Sequence, residues 1–313
     1  MSGAKEKSLV NFLPFQQEVF WSTLRLLFMV WRRQAGKSHT FGSKALSRCM
    51  MRRDHIVCYV SGSILMGQEI IIKEAQVWAK LIESYRLAAR DAQMQFTTSG
   101  DDEKGNLLDL DAICDLFENS KLECRIWHDN TSFSRTRVLS PNPDTARGFS
   151  GDVLGDEIGF WPDFRATWDA VEPIISRNPE WLMWLATTPP KDDRHPTYEL
   201  LMPDHESFPV NAKGNWYQTQ SDNGRGYPVH RVDAYDAEQA GLPLYSLADG
   251  KPTSVGEARL QAVDRESFDR NYLLKFIPGG AAALNLSDIV AAQMRGAQLG
   301  TAHRVFETIK MAA

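Results

Sequence analysis

The sequence predicts an α/β fold in which a doubly wound, mainly parallel sheet is flanked by helices and followed by a small C-terminal linker subdomain. Apolar runs of strand length alternate along the chain with longer stretches that have the apolar spacing of helices. One run, residues 24–30, leads through a loop ending in Gly-Lys-Ser into a helical stretch, and another run ends in two adjacent carboxylates. Because ligands bind at the carboxyl ends of parallel strands, both motifs are expected at one edge of the sheet.

The individual elements follow from apolar periodicity. In the first part of the chain we expect a helix at 15–21, a strand at 24–30, a helix at 37–53, a strand at 56–60 and a long helix at 63–90. Alternating residues on both sides of the polar turn 128–131 predict a hairpin. The elements expected after residue 100 are a helix at 107–118, the hairpin strands at 122–127 and 132–139, and strands at 153–155 and 181–186.

Composition describes an ordinary globular protein. The chain has 313 residues, is 43% hydrophobic and 24% charged, and carries a formal net charge of −5, so it is not a strongly basic nucleic-acid binder. No apolar stretch approaches the ~20 residues of a membrane span, and the polar N-terminus lacks the apolar core of a signal peptide. The cysteines contain no Cys-x-x-Cys pair and are expected to be reduced and mostly buried: Cys49, Cys58, Cys114 and Cys124.

The loop at residues 31–38 resembles the closing half of a phosphate-binding loop. Lys37 is placed to reach the β- and γ-phosphates of a nucleotide, and the hydroxyl of Ser38 to ligate Mg²⁺. The consensus begins with glycine, whereas this chain has Trp31 at that position. The alternative is a helix N-terminus with a solvated lysine.

A second motif, Asp156-Glu157, ends an apolar strand. Asp156 would hold the Mg²⁺ shell, and Glu157 would polarise the water that attacks the γ-phosphate. The alternative is a common acidic pair in a strand-end loop. Gly155 is unusual inside such a strand.

Several other residues are candidates for the same site. Arg32 and Arg33 lie inside the loop, where an arginine can stabilise the transition state from the same subunit; the alternative is a surface arginine bound to solvent or a carboxylate. Phe15 and Gln16 could stack on adenine and bond its edge, although aromatic residues on an amphipathic helix are usually core. Thr187 or Thr188 could sense the γ-phosphate; the alternative is a plain strand followed by a turn. Arg147 could reach the nucleotide of a neighbouring subunit; the alternative is a turn with a salt bridge.

With these motifs the chain resembles the large terminase subunit of tailed bacteriophages. The resemblance covers about residues 12–190 and continues more faintly through 231–234 and 268–272. The matching motifs are Leu13-Pro14-Phe15-Gln16 (adenine motif), Arg33-Gln34-Ala35-Gly36-Lys37-Ser38 (a deviant phosphate loop without the first glycine), Trp127-His128-Asp129-Asn130-Thr131 with Arg147-Gly148-Phe149-Ser150-Gly151-Asp152 (the run into the acidic motif), Asp156-Glu157 and Thr187-Thr188-Pro189 (coupling motif).

The resemblance implies a P-loop NTPase fold of the ASCE type and a motor that hydrolyses ATP, with Mg²⁺, to move double-stranded DNA into a procapsid. It implies a homo-oligomeric ring, expected to be a pentamer, on the portal protein in the host cytoplasm, a small terminase subunit as partner, and no membrane. The catalytic residues would be Glu157, Arg33 and Lys37, and the metal ligands would be Ser38 and Asp156. Thr187 and Thr188 would belong to the coupling motif, and Arg147 would act in trans on the nucleotide of a neighbouring subunit. The nucleotide-binding set would be Phe15, Gln16, Arg32, Arg33, Gln34, Ala35, Gly36, Lys37, Ser38 and His39.

The chain departs from the family at its C-terminal end. Family members usually continue into a nuclease with a cluster of aspartates for two metals, but residues 281–313 contain only Asp288 and Glu307 as acids. We therefore expect a motor domain at 1–215 and a linker or lid subdomain at 216–313, without nuclease activity, in a fragment or in a protein whose nuclease is lost or encoded elsewhere. Two other functions stay open: a helicase-like remodelling ATPase, and a non-hydrolysing, nucleotide-dependent DNA-binding or assembly protein.

Overall fold

A computed structural model describes residues 10–98, 117–120, 122–139, 148–220 and 225–278. Within these ranges nine strands form one sheet, in the spatial order β3-β4-β5-β2-β6-β7-β1-β9-β8. The strands are β1 (Leu26–Trp31), β2 (Ile56–Val60), β3 (Phe117–Asn119), β4 (Glu123–Trp127), β5 (Phe133–Leu139), β6 (Asp152–Asp156), β7 (Met183–Thr187), β8 (Asn215–Gln218) and β9 (Pro228–Val232).

The strands from β5 to β9 in this order run parallel, and antiparallel pairs occur only towards the two edges of the described sheet. Helices cover both faces, so the predicted doubly wound, mainly parallel fold is confirmed. The helices are α1 (Pro14–Trp21), α2 (Lys37–Met51), α3 (Ile64–Thr98), α4 (Phe164–Val171), α5 (Pro196–Leu201), α6 (Ala234–Gln239), α7 (Val255–Gln261) and α8 (Arg265–Asn271). Short 3-10 turns follow β6 and α4 at Ile158–Phe160 and Glu172–Ile175, and β10 (Leu244–Tyr245) pairs separately with β11 (Pro252–Thr253).

Most predicted elements of the first 100 residues lie within a few residues of their observed bounds. β1 begins later than predicted and includes Trp31, because Trp31 pairs in the ladder with Val232. α3 runs on to Thr98, and β4 and β5 form the predicted hairpin. The predicted helix at 107–118 is wrong at its last two residues, which belong to the outer strand β3 and pair with β4; residues 107–116 lie outside the described ranges.

The core consists of two apolar layers, one on each face of the sheet. Successive residues of β1 alternate between them, as side chains of a strand must: Leu27, Met29 and Trp31 face α1–α3, whereas Phe28 and Val30 face α4 and α5. Both layers are buried, which explains why the central strands are continuously apolar. The thiols of Cys49, Cys58 and Cys124 are buried and free as predicted, and Cys114 lies outside the described residues.

A third, smaller cluster follows the sheet. It packs α6–α8 around Ala234, Val255, Phe268 and Leu273. β8 and β9 extend the main sheet, so this cluster begins after β9; the boundary predicted at 215/216 falls at the start of β8 and stays a prediction. None of the helices in the described ranges is both long and apolar enough to cross a membrane.

Candidate nucleotide-binding site

A cavity of about 690 Å³ opens at the carboxyl ends of β1 and β6. It brings the loop after β1 together with the acidic pair after β6, although β7 separates the two strands in the sheet. Two further elements, α3 and the end of α8, contribute one residue each. The lining residues are Arg33, Gln34, Ala35, Gly36, Lys37, Ser38, His39, Lys73, Asp156, Glu157 and Tyr272.

The loop between β1 and α2 has the backbone geometry of an anion site. Gln34 and Gly36 are left-handed, with φ values of 59° and 84°. The side-chain amide of Gln16 donates a 2.9 Å hydrogen bond to Ala35 O, and a Cβ on Gly36 would lie 2.4 Å from the same nitrogen. Glycine is therefore required at position 36. α2 begins at Lys37, so the unpaired N–H groups of its first turn and its positive end are directed at the cavity.

Lys37 and Glu157 form an ion pair at the base of the cavity. The Nζ of Lys37 lies 3.3 Å from Glu157 Oε1 and donates a 3.3 Å hydrogen bond to Trp31 O. Glu157 has a left-handed backbone with φ of 51°, and its buried Oε2 has no hydrogen-bond partner in the described structure. A buried carboxylate oxygen without a partner is costly unless something binds it, so this atom is available to a water molecule.

Asp156 is held beside this pair by three donors. Its Oδ2 accepts from Tyr59 Oη at 2.8 Å and from Ser38 Oγ at 3.3 Å, and its Oδ1 accepts from Glu157 N at 3.0 Å. Burial and the neighbouring Glu157 charge raise the pKa of Asp156, and burial next to Asp156 raises the pKa of Tyr59. A cation at Asp156 would offset both effects.

The hydroxyl of Ser38 and the carboxylate of Asp156 are hard oxygen donors of the kind that Mg²⁺ prefers. The described residues contain no cluster of three or more His, Cys, Asp or Glu side chains able to hold a metal. Such a donor set fits Mg²⁺ held by one or two protein oxygens together with phosphates and water, which is its usual mode at nucleotide sites.

Comparison with known proteins identifies the family of this chain. Residues 32–246 match the model of the family described as terminase large subunit, T4likevirus-type, N-terminal. The chain belongs to the large terminase subunit family. No curated protein sequence matches.

Among solved structures, the large terminase ATPase domain of Thermus phage P74-26 is similar with a TM-score of 0.53 and 16% identity, over 84% of this chain and 93% of that one. At this identity the likeness shows the fold alone. The large terminase of the thermophilic bacteriophage D6E in complex with ADP has a TM-score of 0.46 and 9% identity, over 84% of this chain and 52% of that one. The Phi-28 gp11 DNA packaging motor has a TM-score of 0.41 and 12% identity, over 84% of this chain and 69% of that one.

The two loop arginines of this terminase chain have different surroundings. Arg33 is exposed and lines the cavity. Arg32 is buried, outside the cavity, and its guanidinium donates to Arg33 O and Leu242 O at 3.1 Å each. Burial lowers the pKa of Arg32. Arg32 therefore connects the loop to the segment after α6, and it lies outside the cavity in which a nucleotide would bind.

Phe15 and Gln16 lie behind the loop. The Phe15 ring is fully buried and meets Trp31 edge-on at 5.0 Å between centroids, so stacking on adenine would require it to leave the core. The Trp31 indole N–H also donates a 2.9 Å hydrogen bond to Nδ1 of His230 on β9. The tryptophan at the position of the first consensus glycine is thus a core residue at the end of β1.

The other unusual residue, Gly155, also has a packing reason. A Cβ at this position would lie 2.5 Å from Leu185 Cδ2 and 3.1 Å from the Trp161 ring. The adjacent strand and the indole that follows the acidic pair occupy the space that a side chain would need. Gly155 is therefore compatible with an intact acidic strand.

Thr187 ends β7 and Thr188 follows it, beside the acidic strand as predicted, because Asp156 pairs with Ala186. Both threonines are buried and outside the cavity. The Oγ1 of Thr187 accepts from Gly159 N at 3.0 Å and donates to Thr188 O at 2.7 Å. These hydrogen bonds connect Thr187 to Glu157 only indirectly, through the turn at Gly159, two residues after the acid.

Sequence reasoning missed two lining residues. Lys73 is one of four lysines on the described helices, and Tyr272 lies in the segment where the family resemblance is faint. Neither carries a local signal, since each reaches the cavity through the packing of distant elements. Arg147 lies outside the described residues.

Proposed function

We propose that this chain is the ATP-hydrolysing motor part of a phage terminase, which uses MgATP to translocate double-stranded DNA into a procapsid. The single observation that carries the proposal is that the loop lysine, the loop serine and the acidic pair line one cavity in a chain of the large terminase subunit family. Family membership supports a role in DNA packaging, and the lysine, serine and acidic side chains of the cavity support ATP hydrolysis.

The residues divide into binding and catalytic groups. The N-terminus of α2 and Lys37 bind the phosphates, and Ser38 Oγ and Asp156 would hold Mg²⁺. When bound, Mg²⁺ would neutralise charge that develops on the phosphate oxygens. Arg33, exposed at the mouth of the cavity, supplies a second positive charge to the transferring phosphoryl group.

Glu157 orients the attacking water. Its Oε1 forms an ion pair with Lys37, whose Nζ lies 3.3 Å away. Phosphate binding recruits Lys37 and frees this oxygen to accept a hydrogen bond from the attacking water. This order suppresses the activation of water before substrate has bound.

We further propose the assembly that family membership implies. The partners are double-stranded DNA, the portal protein and the small terminase subunit, and the active form is a homo-oligomeric ring, a pentamer, at the portal vertex in the host cytoplasm. Arg147 acts in trans on a neighbour's nucleotide, and Thr187 and Thr188 transmit the state of the site to the rest of the motor. Residues 1–215 form the motor, and residues 216–313 form a linker or lid.

The test is steady-state phosphate release from ATP with Mg²⁺, with and without double-stranded DNA. The wild type is compared with Glu157→Gln and with Glu199→Gln, an exposed carboxylate that does not line the cavity. We expect turnover in the wild type and in Glu199→Gln, and a loss of ~10²–10⁴-fold in Glu157→Gln. Absence of turnover in the concentrated wild type would overturn the ATPase and favour a non-hydrolysing assembly protein. ATP-dependent DNA uptake by procapsids with portal then separates packaging from helicase-like remodelling.

A further inference from the structure

The long helix α3 passes close enough to α2 to place a side chain in the nucleotide cavity. At the crossing point α2 has Gly42, where an added Cβ would lie 3.2 Å from Lys73 Cβ, 3.4 Å from Glu74 N and 3.5 Å from Ile70 O. The two helices therefore meet with no side chain between them at this point. Lys73 stands at the crossing and lines the same cavity as the phosphate loop.

Lys73 has no electrostatic partner of its own within the described structure. Of the three lysine and arginine side chains that line the cavity, Lys37 is paired with Glu157, whereas Arg33 and Lys73 make no side-chain hydrogen bond or ion pair with the described residues. Neither carboxylate nearby on α3 compensates Lys73. Glu69, one turn earlier, forms no ion pair with it, and Glu74 is buried on the core side, where it accepts a hydrogen bond from Thr136.

The lining around Lys73 contains a second unpaired cation. Arg33 of the phosphate loop lines the same cavity, where it forms no ion pair with the described residues. Lys73 is half-buried in this lining, and no carboxylate of the described residues forms an ion pair with it. An anionic ligand would compensate that charge.

We propose that Lys73 is a phosphate-binding residue for the nucleotide, supplied by α3 from outside the phosphate loop. The inference rests on the proposed function, since it names a further residue of the same ATP site. A lysine on a flexible stem suits this role as a point charge that follows the phosphate chain. Nucleotide binding then bridges α2 and α3 across the Gly42 crossing, so occupancy of the site is transmitted to the longest helix of the described fold.

The test compares the affinities of AMP, ADP and ATP for the wild type, Lys73→Met, Lys73→Arg and Lys80→Met. Lys80→Met is the matched control, because it removes the same charge from the same helix at a residue that does not line the cavity. We expect Lys73→Met to weaken ATP binding about tenfold, with a smaller loss for AMP. Lys73→Arg and Lys80→Met should each stay within about threefold of the wild type, and turnover of Lys73→Met at saturating ATP should change less than its affinity.

The outcomes separate the two proposals. A wild type that binds no ATP overturns the proposed function, whereas a wild type that binds ATP with the same affinity as Lys73→Met overturns only the role of Lys73. Limited acetylation of the folded wild type gives a second readout that does not depend on the folding of a variant. Saturating ATP should protect Lys73 several-fold and leave Lys80 unchanged; equal acetylation of Lys73 with and without ATP would also overturn the inference.

Discussion

Lys37 Nζ lies 3.3 Å from Glu157 Oε1, so the loop lysine and the proposed catalytic acid neutralise each other's charge. The pair joins the two motifs that the sequence places more than a hundred residues apart. Both side chains are largely buried, which makes an unpaired charge on either of them costly. On the proposed function, a nucleotide phosphate would compete with Glu157 for Lys37, and this competition would link substrate binding to release of the acid.

Removal of the lysine tests this competition. Lys37→Ala is expected to abolish measurable ATP binding, because the loop loses its buried cation and the unpaired Glu157 carboxylate repels the phosphates. The double variant Lys37→Ala/Glu157→Gln should recover part of the affinity, since it removes the repulsion without restoring the cation. Titration calorimetry with ATP measures both effects, and Lys191→Ala, at an exposed lysine, serves as control. Equal affinities of the single and double variants would contradict electrostatic competition between Glu157 and phosphate.

Arg32 and Arg33 are adjacent in the sequence, so the effects of replacing each of them can be compared directly. Arg33→Ala is expected to lower ATP turnover by ~10³-fold or more, because an arginine that stabilises the transferring phosphoryl group contributes that much in related chemistry. Loss of Arg32 should act on stability, because its buried guanidinium holds the carbonyls of Arg33 and Leu242. Arg32→Ala should lower the free energy of unfolding by about 1–3 kcal/mol.

Phosphate release and urea unfolding, measured on both variants, distinguish the two roles. Arg33→Ala should unfold like the wild type, and Arg32→Ala should show the larger shift in its urea midpoint. A decrease of only a few-fold in the turnover of Arg33→Ala would assign Arg33 a structural role. Turnover lost equally in both folded variants would mean that Arg32 reaches the nucleotide in a conformation other than the one described.

Much of this site was predictable because its main parts end strands. An apolar strand before Gly-Lys-Ser and another before Asp156-Glu157 must place both motifs at the same edge if the strands are parallel. The direction of each side chain within a motif was harder to predict. Arg32 N donates to Val232 O and continues the ladder beyond Trp31, so the extended backbone directs Arg32 away from the cavity that Arg33 lines.

Contributions from distant elements carried no signal in the sequence. Lys73 enters the cavity through the α2–α3 crossing at Gly42, and Tyr272 enters through α8, whose residue Asn271 accepts a hydrogen bond from Arg33 N. Phe15 appears in a matching motif, but tertiary packing decides whether its ring faces a ligand or the core. The spacing of apolar residues shows which face of a strand is apolar, whereas the packing between helices depends on contacts between residues that are far apart in the sequence.

Trp31 tests whether the missing consensus glycine weakens the site. Trp31→Gly restores the consensus but removes a buried indole that packs on Phe15 and donates to His230. We expect a loss of about 3–5 kcal/mol in the free energy of unfolding and no gain in ATP affinity. Trp31→Phe, which keeps a ring but leaves His230 Nδ1 without its donor, should lose about 1–3 kcal/mol. Urea unfolding and ATP titration measure these effects, and tighter ATP binding by Trp31→Gly would show that the tryptophan obstructs the loop.

Glu74, on the core side of α3, should make stability depend on pH. Its Oε1 accepts a 2.7 Å hydrogen bond from Thr136, whereas its buried Oε2 has no hydrogen-bond partner in the described structure. Burial raises the pKa of Glu74 from 4.5 to about 8. Between these two values the folded protein retains a proton that the unfolded chain has lost. The free energy of unfolding contributed by Glu74 therefore falls as pH rises through this window and levels off above pH 8.

Glu74→Gln removes this titration and keeps a neutral side chain of similar shape. Urea unfolding from pH 5 to pH 9 should show that the wild type loses stability relative to Glu74→Gln by at most about 1.4 kcal/mol per pH unit, with Glu74→Gln the more stable protein at pH 9. Glu69→Gln, at an exposed carboxylate on the same helix, should retain the wild-type dependence. Parallel curves for the wild type and Glu74→Gln would mean that Glu74 is ionised in the folded state and that a cation or water compensates it. The difference between the two curves isolates Glu74 from the other carboxylates, because these titrate identically in both proteins.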